Sequence, residues 1–199
     1  MELDDVVRRR RMVRSFRDDP LPDGALDRIL DHAQHAPSAG FSQGWAFVVL
    51  EGRAETDRFW DAVSEPAWRA GPRGAGLVRA PVIVLPLAHK QAYLDRYRQP
   101  DKAYAGRQDE AAWPVPFWDI DTGFAALLML LTATDLGLGA LFFAIPVNEE
   151  ALLRELAVPA GYRPIGALAI GYADGQDRPS PSLTRGRRPA DDVVHRGGW

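Results

Sequence analysis

The sequence of 199 residues contains no cysteine, which excludes disulfides, thiolate nucleophiles and cysteine-ligated zinc or iron–sulfur centres. Lysine is nearly missing too: Lys90 and Lys102 stand alone among 24 basic residues, and all the others are arginine. Beside so much alanine and glycine, this arginine bias carries no functional weight by itself. Excess positive charge is also absent, since 27 acidic side chains leave a net charge of −3; this argues against a chain built mainly for nucleic acid. The opening residues, MELDDVVRRRR, lack an apolar run, so neither a signal peptide nor a membrane span is expected, and the expected location is the cytoplasm. Hydrophobic residues, at 46%, are numerous enough for a substantial core, and the length predicts a single domain over 1–199. Glycine (18) and proline (16) are plentiful, which predicts long irregular connections.

Hydrophobic spacing predicts the elements. Leu3, Val6 and Val7 mark a first helix ending near Arg9 or Arg10, and Leu26, Ile29, Leu30 and Ala33 mark a second that stops before Pro37. Trp45–Glu51 reads as a buried strand, Asp57–Val63 as a helix and Ala80–Leu87 as a second strand. Tyr93, Leu94 and Tyr97 form a short amphipathic piece within a long connection, 88–118, of the kind that covers active sites. From Asp119 or Asp121, read as capping residues, to Gly137 runs a helix that is apolar nearly all round, and such a helix must be buried in a core or against a second subunit. GALFFAIP (139–146) reads as a short strand or loop, Asn148 with Glu149 and Glu150 as a helix start, and Pro164–Tyr172 as a strand. Strands separated by helices indicate a two- or three-layer α/β or α+β domain. The polar, proline-rich residues from about 173 to 199 read as a terminal arm that docks elsewhere.

Two clusters carry charge. Arg8 to Arg11, with Arg14 and Arg17, place six cations in ten residues, and a continued helix would put Arg10, Arg14 and Arg17 on one face. A solvated helix end, a phosphate site and, behind these, a nucleic-acid contact are the open readings. Arg185, Arg187 and Arg188 form a second cluster, and convergence of both on one phosphate dianion would account for the pair. Gly40–Gly44 formally matches G-x-S-x-G, but a helix precedes it and a strand follows, the reverse of a nucleophile elbow. It reads instead as a small-residue loop lying close to a ligand or partner chain. His32 with His35, and Asp119 with Asp121, lack the further ligands of a metal pattern, so no metal is expected. Neither a Walker A motif nor a G-x-G-x-x-G after a strand is present.

RRRMVRSF at 9–16, followed by APSAGFSQGWAFVVL at 36–50, resembles the FMN-dependent nitroreductase family, whose pattern runs roughly R-R-S-x-R-x-F and then A-P-S-x-x-N-x-Q-P-W-x-F at similar spacing. The long apolar helix, GLGALFF at 137–143, the strand ending in Gly171-Tyr172 and RGRRP at 185–189 extend the likeness over nearly the whole chain. The resemblance implies an α+β fold, a three-layer α/β/α arrangement with a mostly antiparallel sheet. It further implies a homodimer with FMN at the subunit interface and a C-terminal arm crossing to the partner.

By the same resemblance, Arg10, Arg11, Met12 and Arg14 correspond to the N-terminal flavin contacts, and Arg185 and Arg187 to a second phosphate clamp. Pro37, Ser38, Ala39 and Gln43 approach the flavin from the other chain, and Leu141, Phe142, Phe143 and Ala144 pack against the flavin face that the substrate leaves free. The implied reaction is ping-pong: NAD(P)H delivers hydride to flavin N5, then a nitroaromatic or quinone-like acceptor replaces it, with no obligatory protein acid or base. Arg10 is the expected cation near the reduced flavin. Met12 stands where the family usually has Ser, Phe41 where it has Asn and Gly44 where it has Pro, and these departures bear on the substrate more than on the cofactor. Phe41, Trp113, Phe117 and Trp118 are expected to line the substrate side, the tryptophans and Phe117 as a lid or as interface core. Rival readings are a specialised biosynthetic flavoenzyme, a deazaflavin enzyme, and a flavin-sequestering protein without nicotinamide turnover.

Overall fold

Strand β2 (Val82–His89) is the centre of the molecule, and its side chains alternate between two separate cores. In this computed structural model residues 1–145, 147–177 and 180–199 are described; Pro146 of the predicted GALFFAIP segment, and Arg178 and Pro179 of the predicted arm, fall outside them. Strand β1 (Trp45–Glu51) pairs with one side of β2, and β3 (Gly139–Phe143), β4 (Tyr162–Pro164) and β5 (Ala167–Gly171) complete a sheet in the order β1-β2-β5-β3, with β4 also on β2. Every pairing is antiparallel.

Period-two alternation builds the layers. Ile83, Leu85, Leu87, Leu141 and Ala169 face one core with Phe59, Trp60 and Val63 of helix α3 (Arg53–Val63) and Leu152 of helix α7 (Glu149–Glu155). Val82, Val84, Ala140, Leu168 and Ile170 face the other, against Ile29 and Ala33 of helix α2 (Ala25–Gln34) and Ala125, Met129 and Ala133 of helix α6 (Phe117–Asp135). The result is an α+β, three-layer α/β/α fold, as expected. Helix α6 is apolar and long enough to cross a membrane by length and composition, and half of that stretch is buried against α2 and the sheet.

Helix α6 ends where expected because Gly137, at φ +75°, takes the left-handed conformation that closes a Schellman cap: Leu138 N donates to Ala133 O at 2.8 Å and Gly137 N to Thr134 O at 3.0 Å. Its start differs from expectation. Neither Asp119 nor Asp121 caps it; the helix begins at Phe117, Asp119 pairs with Arg163, and Asp121 is a buried residue of the first turns. The strand expected over 164–172 is broken into β4 and β5. Pro86, inside β2, accounts for the break: it has no N–H to offer that neighbour, and its carbonyl accepts from Ile165 N at 3.1 Å in the gap. Helix α3 starts four residues before its expected start, at Arg53, and β2 runs over 82–89 rather than 80–87.

The basic segment does not continue helix α1 (Leu3–Arg9). Arg10 closes that helix, and the chain then runs extended: Met12 bridges Ala140 beside β3, and Phe16 bridges Ala173. The first helix thus ends where its spacing predicts, and Arg10, Arg14 and Arg17 do not share a helical face. Arg17 pairs with Asp19 at 2.9 Å and stacks over the Tyr172 ring.

Candidate functional site

The extended segment 10–17 meets β3 at Met12 and Val13 and carries several arginines. Among the described residues, Arg8, Arg9, Arg10, Arg11 and Arg14 form no ion pair. Arg8 and Arg9 close α1, where cations suit the helix dipole. Arg10 differs: its Nη1 is buried and has no hydrogen-bond partner. A buried guanidinium N–H without an acceptor costs free energy, so an acceptor brought by a ligand fits this position. Arg14 spends Nη1 on the Met12 carbonyl at 3.0 Å and is otherwise exposed.

The same stretch is tied to the start of the C-terminal arm. Arg14 N donates to Asp177 Oδ2 at 3.0 Å, Arg17 N to Tyr172 O at 2.9 Å, and Ser15 Oγ to Asp174 Oδ2 at 2.7 Å. Arg79 joins Asp174 from the other side. Burial alone would raise the Asp174 carboxyl, but the bonds from Ser15, Gln176 N and Arg79 outweigh it and hold the carboxyl below its ordinary value. Beyond this knot, residues 181–199 are exposed throughout, Arg185 and Arg187 included. The structure thus joins segment 14–17 to segment 172–177, while Arg185 and Arg187, the predicted second clamp, are exposed.

The second half of the predicted site is the loop between α2 and β1. It folds tightly because its polar atoms are used internally: Ser38 Oγ accepts from Gln43 N at 3.0 Å, and Ser42 Oγ donates to Ala39 O at 2.6 Å. Ser42 therefore has a structural task, in line with the small-residue loop reading. Phe41 and Gln43 both sit at positive φ, +56° and +48°, and Phe41 is 73% exposed. Pro37 and Gln43 are exposed, Ser38 and Ala39 half-buried.

Four side chains that sequence reasoning gave no part in this loop grip it. Asp121 Oδ2 accepts Ala39 N at 2.8 Å, Tyr93 Oη donates to the same Oδ2 at 2.9 Å, and Arg96 Nε donates to Gly40 O at 2.8 Å. Tyr93 and Arg96 lie on helix α5 (Lys90–Arg98), and Asp101 holds the Arg96 guanidinium through two bonds. The fourth is Tyr97, whose ring lies where a Cβ on Gly40 would sit. The departure at Gly44 has the same origin: a Cβ there would stand 2.4 Å from the Tyr93 ring, so neither Pro nor Ala fits. Burial pushes the Asp121 carboxyl up, opposed by its bonds from Ala39 and Tyr93; burial, then the bond to Asp121, pushes the Tyr93 phenol up. A carboxylate inside an otherwise apolar helix was the available signal.

Trp113 and Trp118 are buried with Tyr93 and Tyr97 in an aromatic cluster of a single chain, and Phe117 packs against it. These rings form neither an open lid nor a bare interface; they fix α5 against α6. Leu141 and Phe143 turn into the α3 core, where Phe143 stacks on Trp60, and Phe142 turns toward the α6 core. Phe142 and Phe143 remain half-buried, and Ala144 is exposed.

Residues 7–172 match the model of the nitroreductase family. A Thermus thermophilus protein named NADH dehydrogenase is 30% identical over 198 residues, covering 88% of each chain. A Methanothermobacter thermautotrophicus protein with the provisional name NADH dehydrogenase/NAD(P)H nitroreductase is 26% identical over 176 residues, covering 86% of this chain and 78% of its own. Among solved structures, a protein from Desulfovibrio desulfuricans crystallised in complex with FMN superposes with a TM-score of 0.71, covering 100% of this chain and 98% of its own; at 24% identity that likeness is one of fold.

Proposed function

This chain belongs to the nitroreductase family, and we propose that it is a homodimeric cytoplasmic flavin-dependent oxidoreductase that uses FMN to carry electrons from NAD(P)H to a nitroaromatic or quinone-like acceptor by a ping-pong scheme. Bound FMN supplies the redox chemistry, and the chain's own residues bind it, orient it and choose what reaches it.

The observation that carries this reading is the buried Arg10 Nη1, unpartnered among the described residues, within the stretch Arg8–Arg14 whose arginines form no ion pair among them. Arg10, Arg11 and Arg14 supply charge-assisted donors for a phosphate dianion and the flavin pyrimidine, and the exposed Arg185 and Arg187 supply the second clamp. Met12, between the cores beside β3, gives the flavin backbone and thioether rather than the hydroxyl of the family pattern. Pro37, Ser38, Ala39 and Gln43 close on the cofactor from the partner, and exposed Phe41 offers an aromatic face to a planar acceptor.

The dimer reading is supported by apolar surface. Ile120, Phe124 and Leu127 are exposed along one face of α6, beside exposed Leu3 and Val7 of α1, and Val193, Val194 and Trp199 of the arm are exposed too. A second copy would cover the helical face, and the arm would reach across it.

Anaerobic mixing with NADH and with NADPH tests the proposal, followed by a panel of unrelated nitroaromatics and quinones. Bleaching of the flavin by either nucleotide, and reoxidation by several acceptors, is the expected result. Flavin that stays oxidised with both nucleotides would identify a sequestering protein; reoxidation by none or one would identify a specialised enzyme.

A further inference from the structure

We propose that Asp121 is a positioning residue for the flavin-side loop: its Oδ2 seats Ala39 N–H and thereby fixes where Pro37, Ser38, Phe41 and Gln43 stand. The proposal rests on the reading that this loop meets FMN in the dimer, and it adds a residue from outside the loop to that machinery.

The geometry assigns the task. Asp121 is 2% exposed, on a helix whose buried side chains are otherwise uncharged, and a carboxylate in such a place needs strong partners. It finds two, and both converge on one oxygen: Ala39 N at 2.8 Å and Tyr93 Oη at 2.9 Å. Ala39 opens the single turn, Ala39–Phe41, that carries Phe41 into the left-handed region. The opposite wall of the turn is held by Arg96 on Gly40 O and by the Tyr97 ring. Acceptor on one side and donor on the other leave the turn one conformation, and Phe41 projects from it with 73% of its surface free. Tyr93 orients the carboxylate and packs against Gly44, closing the loop at its far end. A site whose contacts lie on a loop gains precision when packed elements hold that loop.

The role requires an acceptor oxygen, not a charge, which makes it separable from a merely structural buried acid. Three variants distinguish them: Asp121→Asn keeps the oxygen, Asp121→Leu removes it, and Tyr93→Phe leaves the Ala39 bond in place. The readouts are hydrogen exchange of the 36–44 segment in the apoprotein, affinity for added FMN, and KM against kcat for a quinone. In Asp121→Leu the segment should exchange faster, and FMN affinity should fall about tenfold, the loss of one buried bond to a charged acceptor. Quinone KM should rise more than kcat falls. Asp121→Asn should restore all three readouts, and Tyr93→Phe should stay within about threefold of wild type. Unchanged exchange and FMN affinity in Asp121→Leu would overturn the proposal. So would an Asp121→Asn variant as impaired as Asp121→Leu or, should Asp121→Leu fail to fold, an Asp121→Asn variant whose segment exchange and FMN affinity depart from wild type. A wild-type protein that does not bind FMN would overturn the reading of the loop instead, while the exchange data would still decide whether Asp121 seats it.

Discussion

Arg14 N donates to Asp177 Oδ2 at 3.0 Å, joining residues that lie 163 positions apart in the sequence. With Ser15 on Asp174 and Arg17 N on Tyr172 O, it sews the N-terminal arginine segment to the root of the C-terminal arm. The junction fixes the N-terminal arginine segment against residues 172–177, while Arg185 and Arg187 lie farther along the chain and are exposed.

The first prediction follows from that junction. Arg14→Ala combined with Arg187→Ala removes two guanidinium groups that form no ion pair among the described residues, so the protein should stay folded while FMN is released. The flavin absorbance of the purified double variant, beside its sedimentation profile, checks this; stoichiometric FMN in the variant would refute the phosphate assignment.

Asp174 gives a stability prediction with a definite sign. Its carboxyl is held below the ordinary aspartate value of 3.8, so its contribution is complete above that value and is lost as pH falls through the depressed one. Asp174→Asn should cost about 1–3 kcal/mol at neutral pH, the scale for hydrogen bonds to a charged group. The difference from wild type should shrink below pH 4 in denaturant titrations.

Asp121 has the opposite sign. Burial raises its carboxyl above 3.8, so its contribution to stability is complete below that value and falls as pH rises through the raised one. Asp121→Asn, which never ionises, should gain in Tm relative to wild type as pH is raised from about 4 and then level off. A constant Tm difference across the range would contradict the assignment.

Phe41 stands in a backbone conformation that an ordinary side chain adopts at a cost of about 1–2 kcal/mol and that Asn tolerates. Phe41→Asn should therefore be at least as stable as wild type. Its KM for a planar acceptor should rise about two- to tenfold, the value of a lost aromatic contact. Unchanged steady-state kinetics would remove Phe41 from the acceptor side.

Phe124→Asp with Leu127→Asp places charge on the exposed apolar face of α6. Sedimentation should show monomers, and FMN should be lost with the dimer if the loop that closes on it comes from the partner. A dimer that survives both charges would place the interface elsewhere.

What the sequence made legible was set by periodicity. β1 is found at its predicted bounds, and α2 and the end of α6 follow their apolar spacing and Gly137. Where backbone partners decided, the sequence misled. The first helix ends near Arg9 as its spacing predicts, but the extended course of Arg10 to Arg17 is set by bonding to Ala140, Gly76 and Tyr172. The strand expected over 164–172 breaks because Pro86 lies on a neighbouring strand, a pairing invisible in one dimension. Asp119 and Asp121 looked like caps because caps are what aspartates near helix starts usually are; only the packing of α5 shows Asp121 to be the seat of Ala39. The amphipathic piece at Tyr93, Leu94 and Tyr97 was legible and is helix α5, but that its Tyr93, Arg96 and Tyr97 grip the 38–44 loop together with Asp121 depends on packing that spacing does not reveal.

The absorbance spectrum of freshly purified protein, with the chromophore released by denaturation and identified, tests the central claim most directly. The account predicts the bands of FMN at a stoichiometric ratio to the chain. A colourless protein that also fails to take up added FMN would contradict it, whatever became of the fold.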